Sequence, residues 1–202
     1  KTDVDEMEHA INSHLDAAYD EIHGATCLFP EPRFFPEWEA VGGSYTHDPV
    51  ETAVDKAHLV QLADRLAAVP DGFTVHPRLK GVLDKRLEAV SGGKGIDWAG
   101  AEALAFATLL AEGHTVRLSG QDVGRGTFSQ RHSVLWDYET GQSHIPLNHL
   151  QAGQATFEVY NSLLAEAGVL GFEYGYAVTR PQTLTLWEAQ FGDFVNNAQC
   201  VI

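Results

Sequence analysis

The chain has 202 residues, 44% hydrophobic and 20% charged, a composition that suits a globular domain with a sizeable core and excludes a disordered chain. Its formal net charge is −15, from 28 acids against 13 bases, which argues against nucleic acid and anionic membrane as partners, since both require a basic footprint. No apolar run reaches the roughly 18 residues of a membrane span, no signal-peptide pattern opens the chain, and Cys27 and Cys200 stand far apart in no metal or redox spacing; a cytoplasmic setting is expected.

Lys1 opens the chain and Ile202 ends it inside an apolar run, so both ends are expected to be cuts through a longer polypeptide. Residues 1–23 are helical in period, with Met7, Ile11, Leu15 and Tyr19 at four-residue steps. His9, His14 and His23 match no HExxH spacing and read as solvated-face residues. From Gly24 to Pro49, prolines at 30, 32, 36 and 49 exclude regular helix, while Phe29, Phe34, Phe35, Trp38 and Tyr45 make an extended arm that packs across a larger body or contacts another subunit. A helix over 51–68 ends at Pro70-Asp71-Gly72, a short extended piece covers 73–77, and another helix covers 80–90. The glycine-rich joint at 91–95 is the expected boundary between a helical leader, 1–95, and a main domain, 96–202.

In the main domain Asp97 is the expected N-cap of a buried helix from Trp98 to about Ala111, ended by Gly113. A strand over 114–119 leads into a glycine-rich turn, an arrangement that places ligands at the carboxyl edge of an α/β sheet. Its glycines form neither a GxGxxG nor a Walker motif. Further strands are expected at 134–136, 157–160 and 184–187, with a turn at Glu139-Thr140-Gly141 and a last helix running towards Val201. Helix and strand in alternation predict an α/β domain with a largely parallel sheet.

The stretch Asn161–Ala177 reads as a buried helix capped by Asn161 or Ser162, with Glu166 in about its first turn. Two readings of that acid stay open on the residues alone. It is a first-turn acid favoured by the helix dipole, or a buried carboxylate that must be paired or used.

Several ordered motifs then agree: Ile96-Asp97-Trp98-Ala99, Val116-Arg117-Leu118-Ser119-Gly120-Gln121-Asp122, Arg125-Gly126-Thr127-Phe128-Ser129-Gln130-Arg131-His132, Pro146-Leu147-Asn148-His149-Leu150, Phe172-Glu173-Tyr174-Gly175-Tyr176 and Trp187-Glu188-Ala189-Gln190-Phe191-Gly192-Asp193-Phe194. Together they resemble the thiamine-diphosphate component of the 2-oxoglutarate dehydrogenase family, densely over residues 50–202. The resemblance implies a transketolase-like pyrimidine-binding domain preceded by a mainly helical leader rich in proline and aromatic residues. It implies that Glu166 hydrogen-bonds N1′ of the cofactor's aminopyrimidine ring and so promotes loss of the thiazolium C2 proton. A carboxyl in apolar surroundings is suited to share a proton with a ring nitrogen.

Phe191 and Phe194 resemble the aromatic pair lining the pyrimidine pocket, with core packing as the other reading. Gln121 and Asp122 are expected either to contact cofactor or subunit, or to fix their own turn. Arg131 and His132 are candidates for an anionic substrate, and Glu173 and Glu188 for buried hydrogen-bonded or interface roles. No Gly-Asp-Gly segment is present, so Mg2+ and the diphosphate are expected to find their ligands outside this chain.

The implied activity is oxidative decarboxylation of 2-oxoglutarate, with the succinyl group passed to a lipoyl-bearing dihydrolipoyl succinyltransferase and a second subunit of a homodimer completing the site. The isolated chain is expected to be inactive. The alternatives are a relative acting on 2-oxoadipate, a non-oxidative decarboxylase, or a non-catalytic module for subunit association.

Overall fold

The computed structural model describes residues 2–24, 36–38, 41, 46–190, 198 and 201. It divides into two compact units, Lys1–Glu39 and Ala40–Ile202. In the first, helix α1 (Thr2–Gly24) follows the expected period, and its stripe of Met7, Ile11 and Leu15 is exposed. A single 3-10 turn, Pro36–Trp38, is described from the arm; its remaining aromatic anchors lie outside the described residues.

The second unit begins with α2 (Lys56–Ala67) and α3 (Pro77–Gly92). Helix α2 starts later than the periodicity predicts, whereas α3 starts three residues earlier than the expected Lys80. His76 caps α3, its Nδ1 accepting from Arg78 N at 3.2 Å, and Pro77 fills the first helical position, where no amide hydrogen is needed. The glycine-rich joint is the C-terminal cap of α3. Gly93 adopts φ 68°, a left-handed conformation that glycine reaches without strain, and Lys94 N returns to Ala89 O.

The joint does not separate two cores. Leu62, Ala63 and Val90 share one apolar cluster with Leu104, Phe106 and Leu110 of α4 (Trp98–Ala111). Helix α4 has the predicted bounds, and Asp97 caps it by accepting from Gly100 N at 2.6 Å. It is buried on several sides, as its continuous apolar surface requires.

Beneath α4 lies a three-stranded parallel sheet in the order β4-β1-β5, built from β1 (Val116–Gly120), β4 (Phe157–Asn161) and β5 (Leu184–Glu188). Alternation splits the sheet into two unlike faces. Val116 and Leu118 join the apolar cluster, where the Phe106 and Phe157 rings stack at 5.7 Å. Arg117 and Ser119 point to the other face, towards helix α5 (Glu166–Thr179), where Arg117 meets Glu173. Between β1 and β4, strands β2 (Leu135–Trp136) and β3 (Ser143–His144) form an antiparallel hairpin around the predicted turn. Asp137 secures it by accepting from the backbone N–H groups of Thr140, Glu139 and Thr74.

The predicted helix over Asn161–Ala177 needs correction at its start. Asn161 is the last residue of β4, in register with Gly120, and α5 begins only at Glu166. Both expected caps are engaged elsewhere: Asn161 Oδ1 accepts from Gly124 N, and Ser162 Oγ accepts from Leu164 N. The expected burial is inverted as well. Leu163, Leu164, Phe172 and Tyr174 are exposed, and the inward face carries Glu166, Val169 and Glu173. The helix expected towards Val201 falls largely outside the described residues.

Candidate active site

Because the three strands are parallel, their carboxyl ends meet at one edge of the sheet. Gly120, Asn161 and Glu188 stand side by side in register there. The turn at Gln121-Asp122, the start of α5 and the segment after β5 therefore emerge together, as expected for a ligand-binding edge of an α/β sheet.

Glu166 lies at this edge and is 1% exposed. Its Oε1 accepts from the backbone N–H of Gln190 at 2.8 Å, and its Oε2 from the indole N–H of Trp187 at 3.1 Å. Among the described residues no Lys, Arg or His forms an ion pair with it. Its place at the first helical position aligns the acid with the positive end of the helix dipole. Each carboxylate oxygen has two acceptor positions, so one donor apiece leaves capacity for a further N–H or O–H. Oriented by neutral donors, the group can accept a further N–H or O–H as a carboxylate, or donate to a heterocyclic ring nitrogen as a carboxylic acid.

Two other ion-pair systems, each centred on an arginine, differ in kind. Glu173, 4% exposed, pairs with Arg117 through two hydrogen bonds of 2.7 and 2.9 Å, and Glu158 adds a third at 2.8 Å. The Arg117 guanidinium also lies 4.6 Å and 4.4 Å from the ring centroids of Tyr160 and Tyr176, a distance at which cation and ring attract. Hydrogen bonds to Glu173, set against burial, raise the Arg117 pKa further and keep it charged.

Arg131 is the second system and corrects an expectation. It is 6% exposed, and every guanidinium N–H is committed inside the protein. Nε and Nη2 donate to Glu102, Nη1 to the Val123 carbonyl, and both Nη1 and Nη2 to Glu188. Burial opposes its charge, but the bonds to Glu188 and Glu102 prevail and raise its pKa. No donor remains for an anionic substrate, so Arg131 is an internal tie between α4 and β5. His132 is half-buried behind it with φ 52°, and burial pushes its pKa down.

Asp122 occupies the turn after β1 with φ 57° and pairs with Arg125 at 3.3 Å, while Gln121 is half-buried beside it. Phe191 and Phe194 lie outside the described residues. A groove of about 220 Å³ runs along α5, lined by Ser119, Tyr160, Ser162, Leu164, Val169 and Phe172 among others. The Ser119 hydroxyl is buried there without a hydrogen-bond partner among the described residues.

Sequence reasoning did not single out Trp187 and Gln190 as the donors that orient Glu166, although both lie in a quoted motif. It also missed Arg117 and Glu102. The alternation Val-Arg-Leu-Ser in β1 was the available signal for Arg117, since it sets an arginine and a serine against a helix of apolar composition.

Residues 94–202 match the family described as the transketolase pyrimidine-binding domain, which is more than half of the chain. The chain belongs to that family. Its pyrimidine-binding domain includes α4, the parallel sheet and α5, and so the whole edge around Glu166. Among individual proteins, 151 residues are 57% identical to the mitochondrial 2-oxoglutarate dehydrogenase of Schizosaccharomyces pombe, covering 75% of this chain and 15% of that protein. The 2-oxoglutarate dehydrogenase E1 components of Brucella anthropi and Brucella ovis are each 55% identical over the same shares. The chain thus spans about 15% of the length of these curated relatives. No described helix is long and apolar enough to cross a membrane.

Proposed function

We propose that this chain supplies the pyrimidine half of the thiamine-diphosphate site of a 2-oxoglutarate dehydrogenase E1 component. The single observation that carries the reading is Glu166: a buried carboxylate at the start of α5, held by Trp187 and Gln190 and paired with no cation among the described residues. The family match and the names of the relatives support it.

When bound, thiamine diphosphate supplies the carbon nucleophile and electron sink for decarboxylation of a 2-oxo acid. As its carboxylic acid, Glu166 would donate its proton in a hydrogen bond to N1′ of the aminopyrimidine and so favour loss of the C2 proton. Trp187 and Gln190 keep the carboxylate aimed, so that little reorganisation is needed when the ring arrives. Gln121 and Asp122 border the same edge as further cofactor contacts, and Phe191 and Phe194 are assigned to the ring pocket. Mg2+ and the diphosphate are held by segments other than this one.

The partners follow from the same reading: 2-oxoglutarate as substrate, dihydrolipoyl succinyltransferase as acceptor of the succinyl group, and a second subunit of a homodimer. Leu163 and Leu164 before α5, with Phe172 and Tyr174 on it, are exposed apolar side chains suited to contact with that subunit. The setting is the cytoplasm in a bacterium, or the mitochondrial matrix in a eukaryote.

In the full-length enzyme, Glu166→Ala is expected to abolish exchange of the cofactor C2 proton, followed by NMR after acid quench, while circular dichroism stays that of the folded protein. Exchange at the unaltered rate would refute the assignment. Turnover of 2-oxoglutarate and 2-oxoadipate compared in that enzyme decides the substrate. These exposed apolar side chains also favour a second reading, a module for subunit association alone. That reading requires thiamine diphosphate with Mg2+ to leave the melting temperature of the full-length protein unchanged.

A further inference from the structure

Glu166 is oriented by two N–H groups, and both belong to one short segment, Trp187 to Gln190, at the end of β5. That segment is gripped from the glycine-rich loop that follows β1. The Thr127 hydroxyl donates to Gln190 Oε1 at 2.6 Å. Arg131 donates to both carboxylate oxygens of Glu188, and from its other edge to both oxygens of Glu102 on α4. The loop is braced in turn by Arg86 of α3, which donates to the carbonyls of Gln130 and Arg131. Gly120 backs the same strand end, because a Cβ there would stand 2.3 Å from Glu188 O.

We infer that Thr127 and Arg131 are positioning residues for Glu166: they fix the Trp187–Gln190 segment whose N–H groups aim the carboxylate. The inference rests on the assignment of Glu166 to the pyrimidine ring. The geometry gives each a distinct part. Arg131 sets where β5 ends by tying Glu188 to α4 through a planar, fully occupied guanidinium, a fit that lysine does not reproduce. Thr127 sets the orientation of Gln190, whose own backbone N–H is a donor to Glu166. Neither side chain bonds to Glu166, so their effect on the cofactor passes through the two donors.

The test uses the full-length protein with Thr127→Val, Thr127→Ser, Arg131→Lys and Glu166→Ala. Without cofactor, hydrogen–deuterium exchange read by mass spectrometry follows the peptide containing the Gln190 amide. Thr127→Val is expected to speed that exchange roughly fivefold to tenfold, the scale of one lost hydrogen bond, and Thr127→Ser to restore it. In a second arm, Kd with Mg2+ is compared for thiamine diphosphate and for an analogue carrying carbon in place of N1′. Glu166→Ala is expected to erase the preference for the natural ring. Thr127→Val and Arg131→Lys are expected to reduce that preference roughly fivefold or more, with affinity for the analogue unchanged.

A preference that survives Glu166→Ala overturns the pyrimidine assignment and this inference with it. A preference lost in Glu166→Ala but intact in Thr127→Val, with Gln190 exchange unaltered, overturns the positioning role alone. Equal weakening of both cofactors in Thr127→Val also overturns it, since that is the mark of a general structural defect. Thr127→Val removes only a hydroxyl, so the result stands even if Arg131→Lys fails to fold.

Discussion

Glu166 and Glu173 lie two turns apart on the inner face of α5, and both are almost wholly buried. Glu173 faces a guanidinium that takes both its oxygens, so its charge is neutralised within the protein. Glu166 faces an indole and a backbone amide, which orient it and leave its charge without a counter-ion among the described residues. Burial is therefore a poor guide to the use of a carboxylate, and the chemistry of its donors is a better one. Glu173 ties a helix to a strand through Arg117, whereas Glu166, held only by neutral donors, keeps hydrogen-bonding capacity that the proposed function assigns to the cofactor ring.

The difference is broken most forcefully by exchanging the two losses. Glu166→Gln in the full-length enzyme is expected to lower kcat for 2-oxo acid turnover by about 10²–10⁴, the usual scale of proton-transfer catalysis, with a small change in melting temperature. Glu173→Gln should do the reverse. It leaves Arg117 buried with half its partners, a loss of roughly 3–5 kcal/mol seen in thermal or denaturant unfolding. Replacing Arg117 and Glu173 together by Met and Leu should recover much of that loss, because the residual buried charge is gone. A double variant no more stable than Glu173→Gln would count against a structural role for the pair.

Gly120→Ala acts on the Glu166 side of the contrast through the backbone. At φ 145° and with the Glu188 carbonyl in the way, an added methyl must push β5 outward. The expected cost is about 1–3 kcal/mol, with weaker cofactor binding in titration of the full-length protein.

The smallest effects are in pH dependence. Backbone N–H groups, that of Thr140 foremost, hold the Asp137 pKa at about 2, below its ordinary 3.8. With the folded value depressed, its stabilisation is complete above the ordinary value and is lost as pH falls towards 2. Asp137→Asn should flatten that acid limb in unfolding curves. Burial and the nearby His149 likewise push the His144 pKa below its ordinary 6.5, so protonation favours the unfolded chain and stability declines as pH falls past that value.

Local chemistry was readable where it acted over a few residues. Asp97 before an alanine-rich run and Gly113 after it marked α4 at both ends, and the alternation of helix and strand gave the parallel sheet. The start of α5 was misread because Asn161 and Ser162 have the right chemistry for a cap. Strand pairing with Gly120 and a bond to Gly124, residues far back in the chain, claim Asn161 for β4 instead. Arg131 was misread for a related reason. Its carboxylate partners lie 29 and 57 residues away, and nothing adjacent to it indicates that its donors are occupied. Apolar composition likewise suggested that all of Asn161–Ala177 is buried, whereas only the fold shows that the helix turns its acids inward.

The brace from α3 bears on how this domain can be handled in isolation. Similarity to the family begins at residue 94, yet Leu62, Ala63 and Val90 complete the apolar cluster under α4, and Arg86 anchors the loop that bears Arg131. An expression fragment trimmed to the family boundary would keep Glu166 while shedding both that packing and that anchor. It should express as an aggregation-prone, loosely ordered polypeptide, whereas one begun at Ala40, the start of the second compact unit, should melt in a single transition followed by circular dichroism. The family match marks the shorter segment, whereas the packed apolar cluster reaches back to Leu62.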